Sequence, residues 1–258
     1  MSLDRPAAPE ELVQLCQFLG EPANDLAILA EGNASIRADA ETFWVKASGF
    51  SMRDIDSGGF VRVNLAHIQR ILDFRTVSDE HVREVLKSSR ADDTPLMPSV
   101  ETFMHAYLLG LPEVTIVGHT HPTALLSLLC LADAESIAAQ RLFPDEIVCC
   151  GPAAAFVPYV DPGFALANAI KNSVEDYVHR YGAIPKTIWM QNHGLIALGK
   201  SAREVQSAML MSVKAARVWL GALSTGHRVQ ALSDEQVSRI HTRPDEHYRQ
   251  KLLWDLKR

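Results

Sequence analysis

Residues 118–126 read GHTHPTALL, with two histidines one residue apart directly after the apolar run VTIV. Side chains alternate across a strand, so His119 and His121 point the same way if the strand persists through them. Two such imidazoles can fill adjacent tetrahedral positions on a Zn²⁺ ion. Alone, H-x-H is a weak signal, and the plainer reading is a pair of imidazoles at a solvated strand end. A third imidazole, His193 in QNHGLIALG, falls at a turn between two strands. There Gly194 is expected in left-handed backbone, exposing the ring at a sheet edge. By itself this is a turn histidine. Three histidines together leave a fourth coordination position open, which separates catalytic from structural zinc.

A carboxylate comes from PSVETFMH. Glu101 lies two residues after Ser99, the expected N-cap of a helix, and the helix dipole favours an anion in that first turn. His105 lies four residues on and shares its face. The plainer readings are a common first-turn acid and, preferred for His105, a partly buried helix histidine. Two small-residue loops complete the set: EGNASIR (31–37), with Gly32, Asn33 and Ser35, and KASGFS (46–51), with Lys46, Ser48, Gly49 and Ser51. Their N–H groups, hydroxyls and ammonium could bind a phosphate or carboxylate. Neither matches a P-loop or a dinucleotide fingerprint, and each alone is a turn.

The elements that must position these residues alternate between helix and strand. PEELVQLCQFLG (9–20) reads as a helix opened by Pro and two acids and closed by Gly20. NASIR (33–37) and TFWVKA (42–47) read as strands joined by the polar turn ADAE. In residues 60–98, LAHIQRIL and EHVREVLK read as short helices and SSRADDTP as a loop. SVETFMHAYLLG (99–110) is a helix by its apolar spacing; VTIVGH (114–119) and AFVPYV (155–160) are strands; residues 163–182 form a helix ending at Gly182. Cys149 and Cys150, in EIVCCG, are read as apolar filler alternating across a strand. TIWMQ (187–191) and LIAL (195–198) flank the N-H-G turn. Ser201 with Glu204, and Ser233 with Gln236, carry the capping-box signature of two further helices. Several strand connections are too short for a parallel crossover, so the sheet is expected to be mixed or antiparallel under helices. The whole chain, 1–258, reads as one domain, with LSTGHRVQALS (223–233) a hinge before a mobile C-terminal tail from about residue 224.

Composition sets the outer bounds. A chain 47% hydrophobic and 22% charged is ordinary for a folded globular protein. Its net charge of −6, with Lys and Arg scattered, argues against a nucleic-acid partner. No apolar run approaches the roughly 20 residues of a membrane span, and MSLDRPAAPEELVQL lacks the layout of a signal peptide. Four cysteines without C-x-x-C spacing fit a reducing cytoplasm.

Taken in order, G-N-A-S (32–35), K-A-S-G (46–49), P-S-V-E-x-x-x-H (98–105), H-T-H-P (119–122) and N-H-G (192–194) resemble the class II aldolase/adducin family. Fuculose- and rhamnulose-phosphate aldolases and ribulose-phosphate 4-epimerase are members. The resemblance covers about residues 12–240. It implies an α/β fold, a three-layer α/β/α sandwich around a largely antiparallel sheet. It also implies a divalent metal, usually Zn²⁺ but also Mn²⁺ or Co²⁺, on His119, His121 and His193. Glu101 matches the general acid/base, and Gly32, Asn33, Ser48, Gly49 and Ser99 match the phosphate pocket. Homotetramers with sites at subunit interfaces are implied too, and Tyr248 matches a tyrosine that closes the site in some aldolases, though surface packing is the plainer account of it. One departure stands out. The sugar-phosphate aldolases carry two serines before the glutamate, and here the second is Val100. Either Lys46 compensates, recognising phosphate or carboxylate, or the substrate has no phosphate.

The expected activity is zinc-dependent retro-aldol cleavage of a small hydroxy-carbonyl compound, a sugar phosphate or related acid. Epimerisation, dehydration and decarboxylation use the same constellation. The alternative outside catalysis is an adducin-head-like assembly module, which is expected to have lost the metal ligands that this chain retains.

Overall fold

NASIR and TFWVK become a hairpin because Asp39 closes the turn between them. Its carboxylate accepts from the Glu41 and Thr42 N–H groups at 2.9 and 2.8 Å, from the Thr42 hydroxyl at 2.9 Å and from Arg62 at 2.6 Å. The computed structural model describes residues 7–74 and 76–245. The strands are β1 (Asn33–Arg37), β2 (Thr42–Lys46), β3 (Phe60–Asn64), β4 (Ile116–Thr120), β5 (Ala155–Val157), β6 (Thr187–Met190) and β7 (Gly194–Gly199). They form one sheet in the order β3-β2-β1-β4-β7-β6-β5, antiparallel throughout except for the β5–β6 pair.

The helices are α1 (Glu10–Leu19), α2 (Leu65–Gln69), α3 (Asp79–Ser88), α4 (Thr102–Leu109), α5 (Thr123–Leu129), α6 (Ala134–Ala138), α7 (Pro144–Cys150), α8 (Phe164–Tyr181), α9 (Ala202–Leu223) and α10 (Asp234–His241). Strand alternation sorts them into two layers. Trp44, Ala34, Ile116, Leu195 and Ala197 pack with α1, α5 and α9 on one face. Phe43, Val45, Val117, Ile196 and Leu198 pack with α2, α3, α4 and α8 on the other. The result is the expected three-layer α/β/α sandwich. Among the described residues no helix is long and apolar enough to cross a membrane.

Several local expectations change. FVRVN is a strand, β3, absent from the sequence reading of residues 60–98; Val61 and Val63 are buried beneath the α2–α3 layer. The strand at 155 stops at Val157 rather than 160. Cys149 and Cys150 lie in helix α7, where Pro144 at the first turn and Gly151 after the end set the limits. At α9 only half a capping box forms. Ser201 accepts from Glu204 N–H at 3.4 Å, but the Glu204 carboxylate accepts from Lys200 N–H at 3.0 Å. At α10 both halves form, and Val237 and Ile240 pack on Ile147 and Val148 of α7.

Candidate active site

The site is assembled at one end of the three central strands. β1, β4 and β7 lie side by side, with Asn33 opposite His119 and His119 opposite Ile196. This pairing sets the 191–193 turn, between β6 and β7, against the residues that end β4. β4 itself ends at Thr120, and His121 is held just past it by its N–H on Leu26 O at 2.8 Å. The three imidazoles still converge: one ring nitrogen from each of His119, His121 and His193 lies within 4.8 Å of the other two.

Glycines make this closeness feasible. A Cβ on Gly194 would sit 2.5 Å from Thr120 O and 2.7 Å from His121 Cδ2, so only hydrogen fits between the two histidine-bearing segments. The left-handed residue of the turn is Asn192 (φ 54°), not Gly194 as expected, and His193 sits at the end of central strands rather than at a sheet edge. Gly32 is left-handed (φ 67°), and a Cβ there would lie 2.6 Å from His119 O.

Glu101 joins the rings from α4. Its Oε1 is 3.2 Å from His193 Nε2 and 3.5 Å from His119 Nε2, while its Oε2 accepts from Asn33 Nδ2 at 2.5 Å. The helix begins at Thr102, so Glu101 rather than Ser99 occupies the N-cap position. Ser99 instead accepts the Glu101 N–H on its hydroxyl at 3.3 Å. Burial would raise the Glu101 pKa, but the charge of His119 and the hydrogen bonds and charge of its histidine partners outweigh burial and hold it well below the usual carboxylate range. His119 shows the complement: burial alone would lower it, yet Glu101 and the Leu195 carbonyl raise it. For His121, burial and then the neighbouring imidazoles push the ring down to about 3.

The donor set fits a cation. His119 Nδ1 lies 3.0 Å from Leu195 O, which only accepts, so Nδ1 carries a proton and Nε2 is the atom that can offer a lone pair to a cation once the proton it shares with Glu101 leaves. His121 Nδ1 faces Glu31 Oε1 at 3.8 Å, which favours the same tautomer. The two Nε2 atoms are then 3.0 Å apart, lone pair against lone pair, an arrangement that needs a proton or a metal between them. Glu31, which the sequence reading did not single out, thus faces His121 at 3.8 Å; its position beside Gly32 and Asn33 is the available signal.

The other expected site residues divide. Ala47 bridges Pro98, and Ser48 N–H donates to Met97 O at 3.0 Å, so the Ser48–Gly49 loop is tied to the Met97–Pro98 segment that leads into Ser99 and Glu101. Gly49 is left-handed (φ 85°) with open space at its Cβ position. Lys46 is buried and donates to Phe50 O at 2.6 Å; burial lowers its pKa, partly offset by Cys16 and Glu101. Val100 is exposed. Tyr248 lies outside the described residues.

With that geometry in place, comparison with known proteins decides the lineage. Residues 10–220 match the family described as the Class II Aldolase and Adducin N-terminal domain. The chain belongs to this family. Among its relatives, the class II aldolase-family chain is 25% identical over 232 residues to YuxG of Bacillus subtilis, described as an uncharacterised oxidoreductase. That match covers 87% of this chain but 31% of YuxG, so the chain spans about a third of that relative's length. It is 26% identical over 189 residues to methylthioribulose-1-phosphate dehydratase of Geobacillus kaustophilus, covering 71% and 78% of the two chains. The N-terminal class II aldolase domain of a conserved protein from Thermoplasma acidophilum superposes with a TM-score of 0.67 at 24% identity, over 85% of this chain and 96% of that one. This last likeness concerns the fold of the class II aldolase-family chain.

Proposed function

We propose that the protein is a zinc-dependent lyase that cleaves a carbon–carbon bond of a small hydroxy-carbonyl compound, a sugar phosphate or related acid, by retro-aldol chemistry. The observation that carries the reading is the convergence of His119, His121 and His193 with the Glu101 carboxylate, at 3.2 and 3.5 Å from two of the rings. The three histidines would hold the metal, and a divalent ion there supplies Lewis-acid polarisation of a substrate carbonyl and its adjacent hydroxyl. His119 is fixed for this by Leu195 O, and the Glu31 carboxylate faces His121 at 3.8 Å. Glu101 carries the proton. Its Oε2 is tied to Asn33, which leaves the ionised Oε1 to take up the proton released by the hydroxyl beside the breaking bond and to pass it to the carbon that cleavage frees, with both transfers reversed in the opposite direction. The Ser48–Gly49 loop and Ser99 receive the anionic end of the substrate. Lys46, whose Nζ donates to Phe50 O, contributes its charge to that end rather than a direct hydrogen bond.

Similarity to a methylthioribulose-phosphate dehydratase supports a second reading, elimination of water, which needs the same metal and the same proton carrier. A non-catalytic assembly module has less support, since all three histidines and the glutamate are present and converge. The site is part of a cytoplasmic homotetramer in this proposal; exposed Leu210 and Val218 on α9, with Ile28 and Leu29, offer apolar surface for association. Sedimentation velocity checks the assembly.

Two experiments test the activity. Metal analysis of purified protein under metal-replete conditions separates enzyme from module, as a protein without a bound divalent ion abandons the catalytic reading. A panel of ketose phosphates, unphosphorylated ketoses and oxo-acid phosphates, assayed for aldehyde, water loss or CO₂, then separates the reactions.

A further inference from the structure

His105 is fully buried, four residues after Glu101, and takes no part in the metal grip described above. Its Nδ1 lies 2.6 Å from the Ser35 hydroxyl, and its Nε2 is in hydrogen-bond contact with Asn33 Oδ1. Asn33 Nδ2 then donates to Glu101 Oε2 at 2.5 Å. Asn33 and Ser35 are two apart on β1, so both face α4, where Glu101 and His105 stand one turn apart.

The direction of every bond in this chain follows from its last member. An ionised carboxylate only accepts, so the Asn33 NH₂ must face Glu101 and its carbonyl oxygen must face His105. That oxygen also only accepts, so His105 Nε2 carries the ring proton. Nδ1 is therefore an acceptor, and Ser35 donates to it. We infer that His105 is a positioning residue: its Nε2–H fixes the orientation of the Asn33 amide, and that amide anchors one oxygen of Glu101 so that the other faces the imidazole cluster. Burial, with a smaller opposing effect from Glu101, also lowers the His105 pKa to about 3, in keeping with a neutral ring. Without the imidazole, a buried carbonyl and a buried hydroxyl lose their partner, and the amide is free to turn its oxygen toward the carboxylate.

The bond directions stand without any enzymatic activity; the positioning role rests on the proposal that Glu101 carries the proton. The test uses the full chain labelled with ¹⁵N at histidine, with the His105 signals assigned by their loss in His105→Gln. Long-range ¹H–¹⁵N spectra are expected to show a neutral ring protonated at Nε2, whose proton resonance moves in Asn33→Ala. A ring protonated at Nδ1, or a charged one at neutral pH, overturns the inference. In catalysis, on the substrate that the panel identifies, His105→Leu is expected to lower kcat roughly tenfold or more, with KM and zinc content little changed. His105→Gln, whose amide can still donate to Asn33, is expected to recover most of that loss. A leucine variant with parental kcat, or a glutamine variant no better than leucine, removes the positioning role. If His105→Leu does not fold, the nitrogen spectra and the glutamine variant still decide. A wild-type protein inactive on the whole panel counts against the lyase proposal, while the spectra continue to test the tautomer.

Discussion

Glu101 and the histidines restrain each other's charge. The carboxylate is held ionised by His119 and His193, and His119 is held basic by the carboxylate, so one proton or one metal ion satisfies the cluster. Two substitutions separate these roles. Glu101→Gln keeps the three ring nitrogens, so zinc should stay bound while turnover falls by about 10²- to 10⁴-fold, the usual worth of a positioned proton carrier. Inductively coupled plasma analysis beside a rate assay reads both; a glutamine variant that keeps zinc and cleaves at the parental rate contradicts the assigned role. His119→Ala removes the ring fixed by Leu195, and the purified variant should lose its zinc, measured by chelator competition.

At the scale of elements, the spacing between β4 and β7 is the sensitive quantity. Gly194→Ala puts a methyl group 2.5 Å from Thr120 O, and backbone cannot give way as a side-chain tip can. A loss of ~1–3 kcal/mol in urea unfolding is expected, together with weaker binding of the proposed zinc ion, because the strain acts where His121 and the His193 turn meet. The β1–β2 turn carries its own pH signature. Hydrogen bonds from Glu41 N–H, then from Thr42 and Arg62, lower Asp39 from 3.8 to about 2. A carboxylate with a lowered folded pKa stabilises the fold above its ordinary value, and that contribution disappears as pH falls from about 4 through about 2. Asp39→Ala should flatten this segment of the stability–pH curve, followed by urea midpoints between pH 5 and 2.

The whole molecule adds a second pH dependence of different origin. His105 is neutral inside the sandwich down to about pH 3, whereas an unfolded histidine protonates near 6.5. Below that ordinary value the unfolded chain binds the extra proton. Stability from this residue is thus complete above about pH 6.5 and declines as pH falls toward 3, by about 1.4 kcal/mol per pH unit at most. His105→Gln removes this component, and parallel denaturation curves for parent and variant across that range check it.

Local pattern was enough for much of the architecture. Alternation in NASIR and TFWVK, the apolar spacing after Glu101 and the Ser233–Gln236 box each involve residues within a turn or a strand of one another, so the chain determined them by itself. FVRVN was too short a run to stand out among helical neighbours, and a short apolar run such as EIVCC fits helix or strand until something packs on it. The candidate ligands were legible as residue types. Their convergence was implied by the family resemblance but by no local spacing, since it depends on β4 pairing with both β1 and β7. Likewise only the tertiary structure could link Ser35, His105, Asn33 and Glu101. A buried polar group takes whatever partner the fold brings within 3 Å, and those partners come from a strand and a helix far apart in sequence.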